Sequence, residues 1–210
     1  MKDSKRNNRI RLLAKNLNRR RKKQAMQIDL LCNDIINAHK DFLETVRTLT
    51  FTSEFYESLI GHIDLDNLFR TCAFMLQKHI PNANIVFFIN DHNRFQSYAF
   101  DCNVNETDEA CRLEQYFTSE LVEAIISTNR SCNIDELLQM GLQINPAILK
   151  NSFVITVPIA ANGSLTGLIL LYKFSSQPFD QRQIRLLCSV RRGLSRAVRA
   201  CCSASGQPTS

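Results

Sequence analysis

The eight cysteines are the side chains of this sequence with the greatest chemical potential, and their spacing matches no common site. No Cys-x-x-Cys pair, His-Glu-x-x-His motif or glycine-rich phosphate loop occurs. Cys102, Cys111 and Cys132 lie in a segment rich in predicted loops, and a redox sensor there would need a thiol of lowered pKa. We therefore predict no metal site, no cofactor and no catalytic residue. We also expect the cysteines to be reduced and the protein to be cytoplasmic.

The positive charge of the chain is concentrated at its start. Residues 1–23 hold eleven Lys and Arg residues and one acid, whereas the rest of the chain holds 15 basic and 19 acidic residues. Such a basic arm is suited to phosphate contacts, so non-specific binding of nucleic acid is one hypothesis, and a solvated arm without a partner is the alternative. The arm lacks bulky aromatic residues, so no membrane contact is expected, and charges interrupt every apolar run that could form a secretory signal. Its densest run is Arg19, Arg20, Arg21, Lys22 and Lys23.

A heptad pattern predicts a long coiled-coil helix after the arm, over residues 24–61. With Ile28 at position a, six of the seven a and d positions up to residue 49 are apolar. Such a narrow apolar stripe is typical of a coiled-coil seam and predicts a homodimer, whereas a helix packed on its own domain is the alternative. The seam residues are Ile28, Leu31, Ile35, Ala38, Phe42 and Leu49.

The rest of the chain alternates helices and strands. Asp64 is suited to cap a helix that Pro81 ends, and Asn162-Gly163 predicts a tight β-hairpin. Residues 203–210 are predicted to be a disordered tail. The predicted strands are 83–90, 94–100, 152–161 and 164–174, and the later helices are 113–128, a short one around 136–140, and roughly 181–201.

Both ends of the region 55–201 resemble the GAF domain family. The segment LIGHIDLDNLFRTCAFMLQKHIPNANIVFFI is similar to the opening helix and first strand of that family. The resemblance implies an α+β fold for residues 62–202, with a central antiparallel sheet flanked by helices, a ligand pocket and dimerisation through flanking helices. It also implies a sensory or regulatory role with no particular ligand. The residues that fit the closing signature are Ser152, Val157-Pro158-Ile159, Gly163, Gly167, Leu168–Tyr172 and Pro178-Phe179.

Two ligand classes of the family are disfavoured by the residues present. In the cyclic-nucleotide signature, Lys173 and Phe179 match, but Tyr172 stands at the Asn position and Gln183-Ile184 replaces the Asp-Glu pair. Bilin attachment requires a Cys-His element, whereas Cys102 is followed by Asn103. Haem is a weaker alternative that depends on single histidines.

The resemblance implies a pocket between the sheet and residues 101–150. We expect its aliphatic roof to fill this space, so that the domain acts as a dimeric regulatory or protein-interaction module without catalytic activity. The alternatives are a nucleic-acid-associated regulator and a thiol-dependent methionine sulfoxide reductase. The candidate pocket residues are Tyr98, Phe100, Cys102, Leu137, Met140 and Tyr172.

Overall fold

The computed structural model describes residues 2–91, 94–101, 112–149, 152–161, 164–175 and 177–204. The chain divides into two compact units, Met1–Arg47 and Thr48–Ser210. None of the described helices is long and apolar enough to cross a membrane.

The first unit is helical throughout its described length and belongs to helix α1, Lys2–Ser58. The helix contains no Pro or Gly, the two residue types that most disfavour a helix interior. Every side chain described between residues 11 and 47 is exposed except that of Glu44, which is half-buried. The apolar side chains of this unit therefore add little to its stability within a single chain.

The second unit is built around a five-stranded antiparallel sheet in the order β2-β1-β5-β4-β3. The central strands β1 and β5 are almost continuous apolar runs, because both of their faces are covered. The strands are β1 (Asn84–Asp91), β2 (Arg94–Phe100), β3 (Cys132–Asn133), β4 (Ser152–Ala161) and β5 (Ser164–Phe174).

Helices cover the two faces of the sheet and give two apolar clusters. The first face, here the α2/α6 face, packs against α2, α6 and the end of α1, with Phe55, Phe69 and Leu194 fully buried. The second, the α3/α4 face, packs against a 3-10 helix, α3 and α4. The helices after α1 are α2 (Leu65–His79), the 3-10 helix (Leu113–Tyr116), α3 (Ser119–Thr128), α4 (Ile134–Gln139), α5 (Pro146–Leu149) and α6 (Gln181–Ala204).

This architecture confirms the predicted α+β class with a central antiparallel sheet, flanking helices and a long N-terminal helix. Strands β2, β4 and β5 have the predicted bounds. Helix α2 begins after Asp64, whose carboxylate accepts the Asn67 backbone N–H at 2.8 Å, and it ends before Pro81.

The predicted helix over 113–128 is wrong as a single element. It divides into the 3-10 helix and α3, because Phe117 and Thr118 are extended. The Thr118 hydroxyl accepts the Leu121 backbone N–H at 3.3 Å and so caps the new helix. The two-residue strand β3 was not predicted, since two residues carry no periodic signal.

The predicted division of the chain at residue 61 also differs from the structure, where the compact units meet between Arg47 and Thr48. Phe51, Phe55 and Leu59 of the helical segment are buried in the core of the second unit. Periodicity alone did not separate these positions from the preceding seam, because both stripes belong to one uninterrupted helix. The predicted tail, residues 203–210, begins too early, since α6 continues to Ala204, and residues 205–210 lie outside the described part.

Candidate functional site

Tyr172 is the polar centre of the α3/α4 face. It lies near the end of central strand β5 and is 1% exposed. Its hydroxyl donates a hydrogen bond of 2.8 Å to the Glu114 carboxylate on the 3-10 helix, 58 residues earlier in the chain. Burial and the adjacent Glu114 charge together raise the pKa of the Tyr172 hydroxyl far above its ordinary value. The tyrosine therefore stays neutral and acts as a hydrogen-bond donor.

An ion pair lies beside this hydrogen bond. The Arg112 guanidinium is 4.0 Å from the Asp101 carboxylate, and both side chains keep some solvent contact. The Arg112 Nε is buried and has no hydrogen-bond partner among the described residues. The group thus joins one guanidinium, two carboxylates and one phenol at the edge of an apolar cluster. No local sequence pattern pointed to Arg112 or Glu114, because their positions beside Tyr172 depend on the tertiary fold.

Aliphatic side chains of residues 137–144 belong to the α3/α4 face. Leu137 on α4 is fully buried, and Met140 packs against the same cluster. Leu142 is 5% exposed, and Ile144 is half-buried against this cluster. These aliphatic side chains pack over the sheet on the side of Tyr172.

Tyr98 and Phe100 do not join Tyr172, so that part of the predicted site is wrong. Both pack on the α2/α6 face, where the Tyr98 ring lies 4.9 Å from the Phe69 ring. Tyr98 pairs with Phe87, which in turn pairs with Ile169, whereas Tyr172 belongs to the alternate set on β5. The alternation of side chains shows which residues of one strand share a face of the sheet. Only the pairing register between strands shows which residues of different strands share that face.

Three of the described cysteines, Cys72, Cys132 and Cys201, are buried, whereas Cys32 and Cys188 are exposed. Cys132 is fully buried, and its sulfur lies 3.6 Å from the Thr128 hydroxyl. Cys201 donates to the His62 carbonyl at 3.4 Å, and burial raises the pKa of both Cys72 and Cys201. The candidates Cys102 and Cys111 lie outside the described residues.

No group of three or more His, Cys, Asp and Glu side chains able to hold a metal ion occurs among the described residues. The two described histidines near the core have structural contacts. His62 Nε2 is 3.0 Å from the Ser58 carbonyl oxygen, and the His79 ring packs edge-on against Phe51 at 4.5 Å.

Lys173 and Phe179, which matched the cyclic-nucleotide signature, contact each other. The Lys173 ammonium lies 4.7 Å from the centre of the Phe179 ring and donates to the Pro178 carbonyl at 3.2 Å. This pair fixes the segment between β5 and α6, which is a structural role.

Two glycines allow a neighbouring element to pack directly against their backbone. Gly167 fits the closing signature, and a Cβ there would lie 2.2 Å from the Phe88 carbonyl oxygen of neighbouring strand β1, so the close neighbour is a strand. On α6, a Cβ at Gly193 would lie 2.1 Å from the Tyr56 ring of α1. The Tyr56 hydroxyl also donates to the Ser189 carbonyl at 2.8 Å.

The predicted seam on α1 is exposed in the single chain. Ile28, Leu31, Ile35, Phe42 and Leu49 are between 60% and 67% exposed. The basic side chains described in the arm, from Arg11 to Lys23, are exposed as well.

No protein-family model matches this sequence, and a comparison with curated proteins gives no match. The structure resembles the GAF domain of a phosphoenolpyruvate-protein phosphotransferase from Acinetobacter, with a TM-score of 0.55, 11% identity, and coverage of 76% of this chain and 97% of that one. The corresponding domain from Coxiella burnetii gives a TM-score of 0.54, 12% identity and coverage of 76% and 96%.

An enzyme shares the same architecture. Free methionine-R-sulfoxide reductase from Neisseria meningitidis, solved in complex with its substrate, gives a TM-score of 0.54, 12% identity and coverage of 75% of this chain and 91% of that one. Sequence identities this low support a shared fold but do not indicate a shared activity. The sheet order, the helices on both sides and these superpositions establish that the chain carries a domain with the GAF fold.

Proposed function

We propose that this protein is a dimeric regulatory module in which the seam of α1 pairs with the same seam of a second copy. The GAF-fold domain then acts by binding a partner rather than by catalysis. The observation that carries the proposal is the exposed apolar stripe at heptad spacing.

The seam is costly to leave in water. Five large apolar side chains on one stripe are each at least 60% exposed. Full burial of such a side chain contributes about 1.5–3 kcal/mol, so pairing two seams offers a substantial gain. A second copy is suited to this stripe because the heptad places the same residue types at the a and d positions of both helices.

The packing of the α3/α4 face supports binding through a surface rather than a deep pocket. Tyr172 and Leu137 are essentially inaccessible, and the Tyr172 hydroxyl is already bonded to Glu114. A small ligand that used this hydroxyl would have to displace the Glu114 carboxylate. Burial raises the pKa of the Cys72 and Cys201 thiols, whereas an activated thiol needs a lowered pKa, and this supports a non-catalytic role for these two residues.

The proposal is tested by the mass of the protein in solution. Ile35→Asp places a charge at position a, whereas Ile36→Asp places the same charge at the neighbouring exposed position b, outside the seam. Size-exclusion chromatography with light scattering should give twice the chain mass of 24.1 kDa for wild type and Ile36→Asp, and the single mass for Ile35→Asp. A monomeric wild-type protein at micromolar concentration, or a dimeric Ile35→Asp variant, would contradict the proposal.

A further inference from the structure

Helix α6 combines a largely apolar buried side with charged residues of a single sign. Its 24 residues include six arginines and no acidic residue. The inner side is buried against the α2/α6 face of the sheet. The buried residues are Leu187, Val190, Leu194, Val198, Cys201 and the polar Ser195.

Five of the six arginines lie on the opposite side of the helix. At 3.6 residues per turn they fall within an arc of about 100°, centred away from the buried residues. Four are exposed and Arg199 is half-buried. The sixth, Arg191, points sideways and donates to the Asn129 backbone carbonyl at 3.3 Å. We call the other five the arginine face: Arg182, Arg185, Arg192, Arg196 and Arg199.

The arginine face is long enough to follow a polymer. The 17 residues from Arg182 to Arg199 span roughly 26 Å at 1.5 Å per residue. Among the described residues of α6, none of the large apolar side chains is exposed. The helix therefore presents guanidinium groups and small or polar side chains along its whole outer side.

This composition fits a phosphate backbone better than other anionic partners. Guanidinium groups bind phosphate oxygens through two parallel hydrogen bonds. A membrane-binding helix needs an apolar side to insert into lipid, and the apolar side of α6 is already buried in the domain. A protein interface needs an apolar centre, which this face lacks.

We propose that the arginine face of α6 binds the phosphate backbone of a nucleic acid without sequence preference. Contacts to phosphates position a protein on a duplex but do not distinguish bases, and the face offers no side chain of the Asn or Gln type at its centre. The proposal does not depend on dimerisation. It is also independent of the basic arm, residues 1–23, which is a second candidate surface for the same class of ligand.

The test compares two full-length variants that lose the same charge. The first is Arg185→Gln, Arg192→Gln and Arg196→Gln combined. The matched control combines Lys40→Gln, Arg47→Gln and Arg70→Gln, which are exposed and lie outside both basic surfaces. Binding to a short labelled DNA duplex of mixed sequence is followed by fluorescence anisotropy across a series of salt concentrations. Circular dichroism verifies that both variants are folded.

The arginine-face variant should bind more weakly at every salt concentration. Its plot of log K against log salt should have a slope that is less negative by about 3, or about 1 for each arginine removed. The slope of the control variant should change by less than about 1. Equal slopes for the two variants would overturn the proposal. Normal duplex binding together with loss of poly-glutamate binding would also overturn the proposal and assign the face to an acidic protein. Normal duplex binding together with a changed oligomeric mass would overturn it as well and assign the face to a second copy.

Discussion

The contact between Gly193 on α6 and Tyr56 on α1 allows a quantitative test of how these two helices pack. A methyl group at Gly193 would lie 2.1 Å, 2.3 Å and 2.7 Å from three carbons of the Tyr56 ring. Ordinary carbon contacts are about 3.5–4.0 Å, so the ring would have to move by more than about 1 Å. That movement would break the 2.8 Å hydrogen bond from the Tyr56 hydroxyl to the Ser189 carbonyl.

Opposing effects determine whether Gly193→Ala raises or lowers the free energy of unfolding. Replacing a glycine within a helix by alanine gains about 1 kcal/mol. Overpacking costs about 1–3 kcal/mol, and losing the hydrogen bond of Tyr56 costs about 0.5–1.5 kcal/mol. The expected net destabilisation is therefore about 0.5–3.5 kcal/mol. For a domain of this size it should lower the melting temperature by roughly 1–14 °C.

Urea unfolding followed by far-UV circular dichroism measures this effect, since the chain contains no Trp. All variants are compared at one protein concentration, because association would contribute to apparent stability. Tyr56→Ala removes the ring, and in this background Gly193→Ala should stabilise the fold by about 1 kcal/mol. A stabilising Gly193→Ala in the wild-type background, or the same effect in both backgrounds, would refute the proposed packing.

Two further predictions concern the candidate site and the absence of catalysis. Tyr172→Phe should lower the free energy of unfolding by about 1–2 kcal/mol at pH 7, because the hydrogen bond to Glu114 is lost, while Tyr116→Phe should change it by less than about 0.5 kcal/mol. Because the folded-state pKa of Tyr172 is raised, its contribution is complete below the unfolded pKa of about 10 and is lost as the pH rises beyond it. The difference between wild type and Tyr172→Phe should therefore narrow above that pH, and an unchanged difference would contradict the buried neutral phenol. In an assay for thiol-dependent reduction of free methionine sulfoxide, we expect no turnover by the wild-type protein, and turnover above background would contradict the non-catalytic proposal.

Local patterns predicted most elements of the domain, because they depend on neighbours in sequence. Asn162-Gly163 between two β-rich runs located the hairpin of β4 and β5, and Asp64 located the start of α2. The break at Phe117 and Thr118 was missed, since the apolar spacing continues through it. Hydrophobic periodicity reports which side of an element is buried but does not detect a change of direction.

The sequence separated the two faces within each strand, but it did not show which faces of different strands lie together. Leu137, Met140 and Tyr172 lie on the expected face, but Tyr98 and Phe100 lie on the other. The heptad spacing of α1 and the arginine spacing of α6 are properties that the sequence by itself determines. Only the tertiary structure decided that Phe51 and Phe55 belong to the domain core and that Glu114 meets Tyr172. Such contacts depend on strand register and on chain segments far apart in sequence, and no local pattern encodes either of them.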